Sequence, residues 1–322
     1  MYRMDFSEVT AGPQDAGRRL DRILRRYLKE GSLSQIYSAL RKGLVKCNGK
    51  RARPDDRVTE GSVLSIARFL LAEKPHGMPR RTTIELISLF QNTDVRIIDK
   101  PYGVAVHAGG KSGADIAQAL RAEHAAHHAR DSLSFTPAPL HRLDRRTSGL
   151  LICSRSIEGA RWISLALRQH LIGKKYLAVI QGYLRQEERW HDAVGAKQRS
   201  GSFHTARAGE GGKQADTRAV PLAHGEFCGD AVTLACMDIS TGRTHQIRAQ
   251  AALHGHPLLG DTAYGGKELH GCSRAHYLHA HQLLFPADNP LRIPERITAR
   301  PPDDFAQLLA KCGIIIETPR HS

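Results

Sequence analysis

The chain has 322 residues, of which 41% are hydrophobic and 25% are charged, as in a folded globular protein rather than a disordered chain. Its 47 lysines and arginines outnumber its 32 aspartates and glutamates, which gives a formal net charge of +15. Such an excess favours a polyanionic partner, either a nucleic acid or an anionic membrane surface.

Cysteine usage and hydropathy narrow the class of protein. The six cysteines lie far apart and include no CxxC pair, which argues against a disulfide framework and a thiolate zinc site. No hydrophobic run approaches the length of a membrane span, and the start lacks the apolar core of a signal peptide. The sequence therefore predicts a soluble, cytoplasmic protein, and nothing in it requires more than a monomer.

The beginning of the chain predicts a small basic domain over residues 1–75, which hold 16 basic and 9 acidic side chains. Between residues 18 and 29, apolar and basic side chains form two separate stripes at helical spacing. A second short helix, SQIYSALRK, ends at Gly43, and Asn48-Gly49 between two short apolar runs predicts a hairpin. A last strand, VLSIA, completes a small α/β unit.

This pattern, over residues 17–66, resembles the small RNA-binding domain first named for ribosomal small-subunit protein four. The resemblance implies that its two helices bind structured RNA through phosphate and shape. The alternatives for the first helix are a solvated face and a membrane surface, and Tyr27 as its one interfacial aromatic disfavours the membrane. The residues predicted to contact RNA are Arg18, Arg22, Arg25, Arg41, Lys42 and Lys50.

The rest of the chain predicts an α+β fold with a mixed or antiparallel sheet and flanking helices. Residues 76–93 have a mixed, Pro- and Gly-containing composition that predicts a linker, so the second domain is expected over 94–322. Strands are predicted at VRIIDKP, GLLICS, KKYLAVIQG and AVTLACMDIS, and helices at residues 114–127, SIEGARWISLALRQH and THQIRAQAALHG.

Four polar, glycine-flanked segments interrupt these elements: DKPYGVAVH (99–107), HRLDRRTSG (141–149), GRTHQIR (242–248) and GHPLLGDTAYG (255–265). Each adjoins the end of a predicted element, where a rigid scaffold can present side chains from loops. Glycine also allows the backbone to approach a ligand closely. We therefore expect the functional site to be built from these segments.

Several chemistries do not fit them. Ser148 lies in TSG rather than GxSxG, and there is no phosphate-binding P-loop. Eighteen histidines raise the question of a metal, but neither of their two local groups has an HExxH motif or a matched carboxylate. We predict no metal site. The two groups are His124, His127 and His128, and His276, His279 and His281.

Asp144 is the acid with the most suggestive surroundings. It lies among Arg142, Arg145 and Arg146, and GRTHQIR adds two further guanidiniums. A neighbouring guanidinium keeps a carboxylate ionised, which suits a nucleophile or a fixed base better than a proton donor. The alternative is an Arg–Asp pair that holds two segments together without chemistry.

The four segments in this order, together with KKYLAV, resemble the RluA-type family of RNA pseudouridine synthases over roughly residues 94–285. With the N-terminal domain, the chain is most similar to the RluC-like branch, which modifies large-subunit ribosomal RNA. The resemblance implies a mixed sheet around an RNA-binding cleft, with no metal or organic cofactor. It places the catalytic aspartate at Asp144, the active-site tyrosine at Tyr176 and the arginine that pairs with the aspartate at Arg248. The predicted substrate-binding residues are Arg142, which helps to hold the place of the extruded nucleotide, and His141, Arg243 and His245.

The sequence thus predicts an enzyme that converts specific uridines of large-subunit ribosomal RNA to pseudouridine, without contact to a membrane. The target uridine must be flipped out of its helix to reach Asp144. One alternative is the same reaction on transfer RNA. Another is a non-catalytic RNA-binding or ribosome-assembly factor, which the presence of both Asp144 and Tyr176 disfavours.

Overall fold

A computed structural model describes residues 5–28, 32–71, 84–107, 114–127, 132–197, 203–205, 212–269, 272 and 274–315. The described part of the first 71 residues contains a four-stranded antiparallel sheet in the order β1-β4-β2-β3. Two helices pack on it. The elements are β1 (Phe6–Thr10), α1 (Leu20–Tyr27), α2 (Leu33–Arg41), β2 (Val45–Cys47), β3 (Lys50–Arg51) and β4 (Val63–Ala67).

The local sequence explains these elements. In α1, Leu20, Ile23 and Leu24 are buried in the small core, whereas Arg22 and Arg25 are exposed. Ser32 begins α2 with a capping box, because its hydroxyl accepts from the backbone N–H of Gln35 and its own N–H donates to the Gln35 side chain. The Asn48-Gly49 turn has positive φ at both residues, as the hairpin prediction requires.

The larger unit is built on a mixed sheet of ten strands among the described residues, in the order β10-β9-β11-β12-β8-β13-β7-β6-β5, with β14 beside β13. All neighbouring strands pair antiparallel except β13 and β7, which pair parallel. The predicted α+β class with a mixed or antiparallel sheet is therefore confirmed. The strands are β5 (Ile87–Gln91), β6 (Val95–Lys100), β7 (Ser148–Ser154), β8 (Gly173–Gln181), β9 (Glu188–Lys197), β10 (Phe203–Thr205), β11 (Lys213–Phe227), β12 (Asp230–Ile239), β13 (Leu278–Leu284) and β14 (Arg296–Thr298).

Helices cover both faces of this sheet. Alternation along the central strands divides their apolar side chains, so that Leu151 of β7 faces one core cluster and Ile152 faces another. The first cluster includes residues of α3 and α5, and the second includes residues of α4. A third cluster joins β8 to Phe305 of α6. The helices are α3 (Ile116–His127), α4 (Ile157–Arg168), α5 (Gln246–Leu253) and α6 (Asp303–Lys311).

One sequence prediction needs correction. Residues 76–83 of the predicted linker lie outside the described residues, but Ile87–Gln91 form β5 and belong to the larger sheet. Four of the five β5 residues are exposed, because β5 is an edge strand. Its exposed polar and apolar mixture therefore looks like linker composition in the sequence alone.

The two units contact each other through a buried carboxylate. Asp15, which is fully buried, accepts hydrogen bonds from Ser132 Oγ (2.7 Å), Leu133 N (2.7 Å) and Ser134 Oγ (2.5 Å). Leu133 also packs against the core of the small unit. Arg18 donates to Ser134 Oγ and is half-buried, so this predicted RNA contact lies at the junction of the units.

Candidate active site

Two of the predicted polar segments line an open cleft, and a third, 255–265, contacts one of the lining residues, Arg248. Segments 141–149 and 242–248 provide most of the lining, and β8 provides Tyr176. The polar lining residues are Arg142, Asp144, Thr147, Tyr176, Arg243, Thr244, His245, Gln246 and Arg248.

Asp144 lies in the loop before β7, and its side chain is 16% exposed, so a ligand in the cleft can reach it. Oδ2 is 3.7 Å from Nη1 of Arg248, and Oδ1 is 3.7 Å from Nε2 of His245. The carboxylate is therefore flanked on each oxygen by a potential donor. A carboxylate in this position is placed to act as a nucleophile or base towards a ligand in the cleft.

Tyr176 lies in the middle of β8, between Met237 of β12 and Ala280 of β13. Its side chain is buried at the cleft and belongs to the main core cluster. Burial, followed by the negative charge of Asp144, raises the pKa of the Tyr176 phenol above its usual value. The ring is therefore a neutral phenol at physiological pH, held rigidly against the cleft.

A buried amide shapes the loop that carries His245 and Arg248. Gln246 Oε1 accepts from Thr241 Oγ1 (2.7 Å) and from the backbone N–H of Arg243 (3.0 Å). Its Nε2 donates to the Asp216 carbonyl at 2.9 Å. These bonds fasten the loop to β11, so α5 starts at a fixed place beside the cleft.

Arg248 is held mainly by an acid that sequence reasoning did not select. Its Nε and Nη2 donate to both oxygens of Asp261, at 2.7 and 2.8 Å, and its guanidinium lies 4.8 Å from the Tyr264 ring centre. Burial opposes the charged form, but the hydrogen bonds and charge of Asp261, then Asp144, raise the pKa of Arg248. The predicted Arg248–Asp144 pair is therefore present, but it is the longer of the two contacts.

His245 occupies the position before α5 with a left-handed backbone, φ = 57°. Its Nδ1 lies 3.0 Å from the Tyr264 hydroxyl, and its Nε2 faces Asp144. Burial lowers the pKa of His245, although Asp144 acts in the opposite direction. A neutral imidazole that accepts from Tyr264 at Nδ1 carries its proton on Nε2, towards the carboxylate.

The remaining polar segment, 99–107, is hydrogen-bonded to the loop that carries Asp144. Lys100 is fully buried, and its ammonium donates to the carbonyls of Pro101 (2.8 Å), Val104 (2.8 Å) and Arg145 (3.3 Å). Arg145 and Gly103 exchange two further hydrogen bonds. Burial lowers the pKa of Lys100 to about 7, whereas Asp144 favours the charged form. Arg145 thus fastens the Asp144 loop to segment 99–107 through hydrogen bonds with the backbone of Gly103 rather than through an Arg–Asp pair.

The other predicted substrate-binding residues differ in position. Arg142 is exposed at the cleft, and Arg243 lines it while its Nε donates to the Gln214 carbonyl at 2.9 Å. His141, in contrast, is absent from the described cleft lining, and its Nε2 accepts the N–H of Ile152 at 3.0 Å. Burial, and then Lys174, lowers the pKa of His141 to about 4. His141 therefore bonds the backbone of β7 and is outside the described cleft lining, so its role in substrate binding stays a prediction.

Sequence reasoning also missed Lys100, Asp261 and Tyr264 as individual residues. All three lie within the predicted polar segments, so their region was found and their roles were not. Asp261 had a usable signal, because a glycine followed by an aspartate is typical of a turn. Nothing in the sequence indicates its partner, since Arg248 is thirteen positions away on another element.

Five of the six predicted RNA contacts are exposed on the small unit. They lie on α1, at the end of α2 and on β3, where side chains reach solvent. Arg18 is the exception described above. The exposed residues are Arg22, Arg25, Arg41, Lys42 and Lys50.

The described residues contain no group of three or more histidine, cysteine, aspartate or glutamate side chains arranged to hold a metal ion. His279 and His281 instead each lie within hydrogen-bond distance of the Ala299 carbonyl, and His279 also bonds Ser148. His128 lies outside the described residues. In the part of the chain that the structure covers, no helix is sufficiently long and apolar to traverse a bilayer.

Comparison with known proteins defines the class. Residues 94–253 match the RNA pseudouridylate synthase family, and residues 18–64 match the S4 domain family. The chain is 31% identical to the ribosomal large subunit pseudouridine synthase C of Pasteurella multocida, over 86% of this chain and 85% of the relative. The protein of that name from Escherichia coli K12 is also 31% identical, over 86% and 88%.

The chain therefore belongs to the RNA pseudouridylate synthase family, with an N-terminal S4 domain, and is an RNA pseudouridine synthase. Solved structures agree on the fold. Human RNA pseudouridylate synthase domain containing 4 is similar with a TM-score of 0.58 at 21% identity, covering 72% of this chain and 95% of that one. Human RNA pseudouridylate synthase domain containing 1 gives 0.55 at 26%, covering 73% and 90%.

Proposed function

We propose that this enzyme isomerises specific uridines of large-subunit ribosomal RNA, with Asp144 as the nucleophile or base. The observation that carries the proposal is the position of Asp144 in the cleft, with both oxygens flanked and the Tyr176 ring beside it. The substrate class is supported by relatives at 31% identity over most of both chains, which are named for the large ribosomal subunit. A ribosomal RNA substrate also supports a cytoplasmic location, which is part of the proposal.

The reaction rearranges the nucleoside without net loss of atoms. The bond between uracil N1 and the sugar breaks, the base turns, and its C5 bonds to the sugar while a proton leaves C5 and another binds N1. Asp144 starts the cleavage, by attack on the sugar as in a retaining glycosidase, by attack on the ring, or by proton abstraction. These three routes share the requirement for an ionised carboxylate within reach of a flipped nucleotide.

The remaining residues bind and orient the flipped nucleotide. The neutral Tyr176 ring supplies a flat surface on which the uracil stacks. Arg142 and Arg243, at the cleft edge, are placed to contact phosphates or to occupy the space that the base has left. The exposed basic side chains of the S4 domain add phosphate contacts, which offset the cost of unstacking, about a few kcal/mol.

The test uses RNA whose uracil carries tritium at C5, because formation of the new C5–sugar bond releases that label. We would compare large-subunit ribosomal RNA, small-subunit ribosomal RNA and transfer RNA at equal uridine concentration. The proposal predicts release from the large-subunit RNA alone. Release from transfer RNA alone would retain the enzyme class and refute the proposed substrate. An unmodified assembly intermediate is included so that an earlier substrate in ribosome formation is not overlooked.

A further inference from the structure

The two side chains that flank Asp144 are both held by a single turn, residues 260–265. We propose that this turn sets the geometry of the active site, with Asp261 positioning Arg248 and Tyr264 positioning His245. The inference rests on the proposed role of Asp144. It adds two positioning residues, neither of which touches the carboxylate itself.

Asp261 uses both of its oxygens on Arg248. The two bonds run from Nε and Nη2, at 2.7 and 2.8 Å, and Asp261 is 2% exposed. A bidentate pair fixes the plane of a guanidinium as well as its distance. The Arg248 guanidinium then has a single orientation, in which its remaining nitrogen, Nη1, lies 3.7 Å from Asp144 Oδ2. Without Asp261, Arg248 would be free to move onto Asp144 or away from it.

The backbone of the turn is itself held in place, so it can position Asp261. Asp261 N donates to the Leu258 carbonyl at 3.0 Å, and Gly266 N donates to the Asp261 carbonyl at 2.9 Å. Gly260 has φ = 87°, and a side chain at Gly266 would place its Cβ 2.5 Å from the Leu258 carbonyl oxygen. The backbone around Asp261 is therefore closely packed and fixed by its own hydrogen bonds.

Tyr264 contacts both flanking residues. Its ring lies against the Arg248 guanidinium, with 4.8 Å from Cζ to the ring centre, and its hydroxyl lies 3.0 Å from His245 Nδ1. The hydroxyl thereby determines which imidazole nitrogen is turned towards Asp144. A positively charged guanidinium over a tyrosine ring also gains cation–π attraction. One aromatic side chain thus links the two groups on either side of the carboxylate.

The test is Asp261→Asn, which keeps the size of the side chain and removes its charge. We expect the single-turnover rate of pseudouridine formation to fall by about 100-fold, the cost of a displacement near 1 Å at a reacting centre. The RNA dissociation constant should stay unchanged. Because the two residues act as a unit, Asp261→Asn with Arg248→Ala should be no slower than Arg248→Ala alone. Tyr264→Phe should give a smaller loss.

Asp304→Asn is the matched control. Asp304 forms a bidentate pair with the buried Arg274, at 2.6 and 2.8 Å, outside the cleft lining. Its substitution should lower the melting temperature and leave the single-turnover rate unchanged below the transition. A wild-type rate in Asp261→Asn, or losses that add in the double variant, would refute the positioning role.

A second measurement separates this inference from the proposed function. The Nε–H signal of Arg248 in ¹⁵N NMR, assigned by its absence in Arg248→Lys, should exchange slowly with solvent in the wild type and quickly in Asp261→Asn. If wild type were inactive on every RNA, the proposed function would fail, and this signal alone would decide the positioning claim. Equal exchange in both proteins would overturn it.

Discussion

Asp144 is flanked by two side chains, each of which is held in place by a further residue. Its two oxygens face Arg248 and His245, each at 3.7 Å, which is longer than a hydrogen bond. Asp261 and Tyr264 fix the two flanking groups. The carboxylate thus remains available to the substrate, because the strongest hydrogen bonds of its neighbours are directed elsewhere.

Tyr176 offers a prediction at the same scale. Since burial keeps its phenol protonated, we expect the ring, rather than the hydroxyl, to provide its main contribution. Tyr176→Leu should lower turnover by about 10- to 100-fold, the equivalent of about 1–3 kcal/mol of base stacking. Tyr176→Phe should retain most of the wild-type rate, measured under single-turnover conditions.

Both Tyr176 variants need a melting curve, so that a loss of folding is not mistaken for a loss of stacking. The relative rates of the two variants distinguish a role for the ring from a role for the hydroxyl. If Tyr176→Phe were as slow as Tyr176→Leu with an unchanged melting temperature, the hydroxyl would carry a step of the reaction, such as removal of the C5 proton.

Individual residues show the limit of sequence reasoning. The pattern around Asp144 and the resemblance placed Asp144, Tyr176 and Arg248 at one site, and the structure brings them to one cleft. The same pattern placed His141 there, yet its ring bonds the backbone of β7. A histidine next to a catalytic motif looks identical in sequence whether it faces the cleft or the sheet, because its direction depends on tertiary packing.

At the level of elements, strands buried on both sides were the predictable ones. The run GLLICS corresponds to β7, all of whose residues are buried, and KKYLAVIQG corresponds to the central β8. The long β11 was missed. It buries one face only, and its Pro221 and Gly225 resemble turn signals although Pro221 lies at a register shift in the pairing with β12.

The sequence pattern predicts that α5 starts at Thr244, two residues earlier than in the structure. THQIRAQAALHG has a helical pattern, but the structure begins the helix at Gln246 and gives His245 a left-handed backbone. This conformation turns the imidazole towards Tyr264 and Asp144. Propensity does not indicate it, because the buried bonds of Gln246 to the neighbouring strand impose it.

For the whole molecule, the junction of the S4 domain with the larger unit depends on Asp15. Asp15→Asn places an amide opposite the N–H of Leu133 and removes a charged acceptor from a fully buried site. We expect the free energy of unfolding to fall by about 2–4 kcal/mol, measured by urea denaturation. Asp5→Asn, in an exposed pair with Arg68, is the control and should cost less than about 1 kcal/mol.

An Asp15→Asn protein as stable as the Asp5→Asn control would show that the junction does not depend on this carboxylate. RNA binding and the single-turnover rate of Asp15→Asn provide a second test of the junction. If the junction aligns the basic S4 surface with the cleft, the weakened variant should bind RNA less tightly while its single-turnover rate at saturating enzyme stays close to that of the wild type.

We expect Asp144 to perform chemistry rather than to hold two loops together. The most direct measurement is tritium release from large-subunit RNA by wild type and Asp144→Asn, with RNA binding and melting temperature measured on the same samples. We predict that Asp144→Asn binds RNA as well as wild type, melts at a similar temperature and releases no label. Retained turnover in Asp144→Asn, or a loss of RNA binding and a lower melting temperature together with the loss of turnover, would contradict a catalytic role for Asp144.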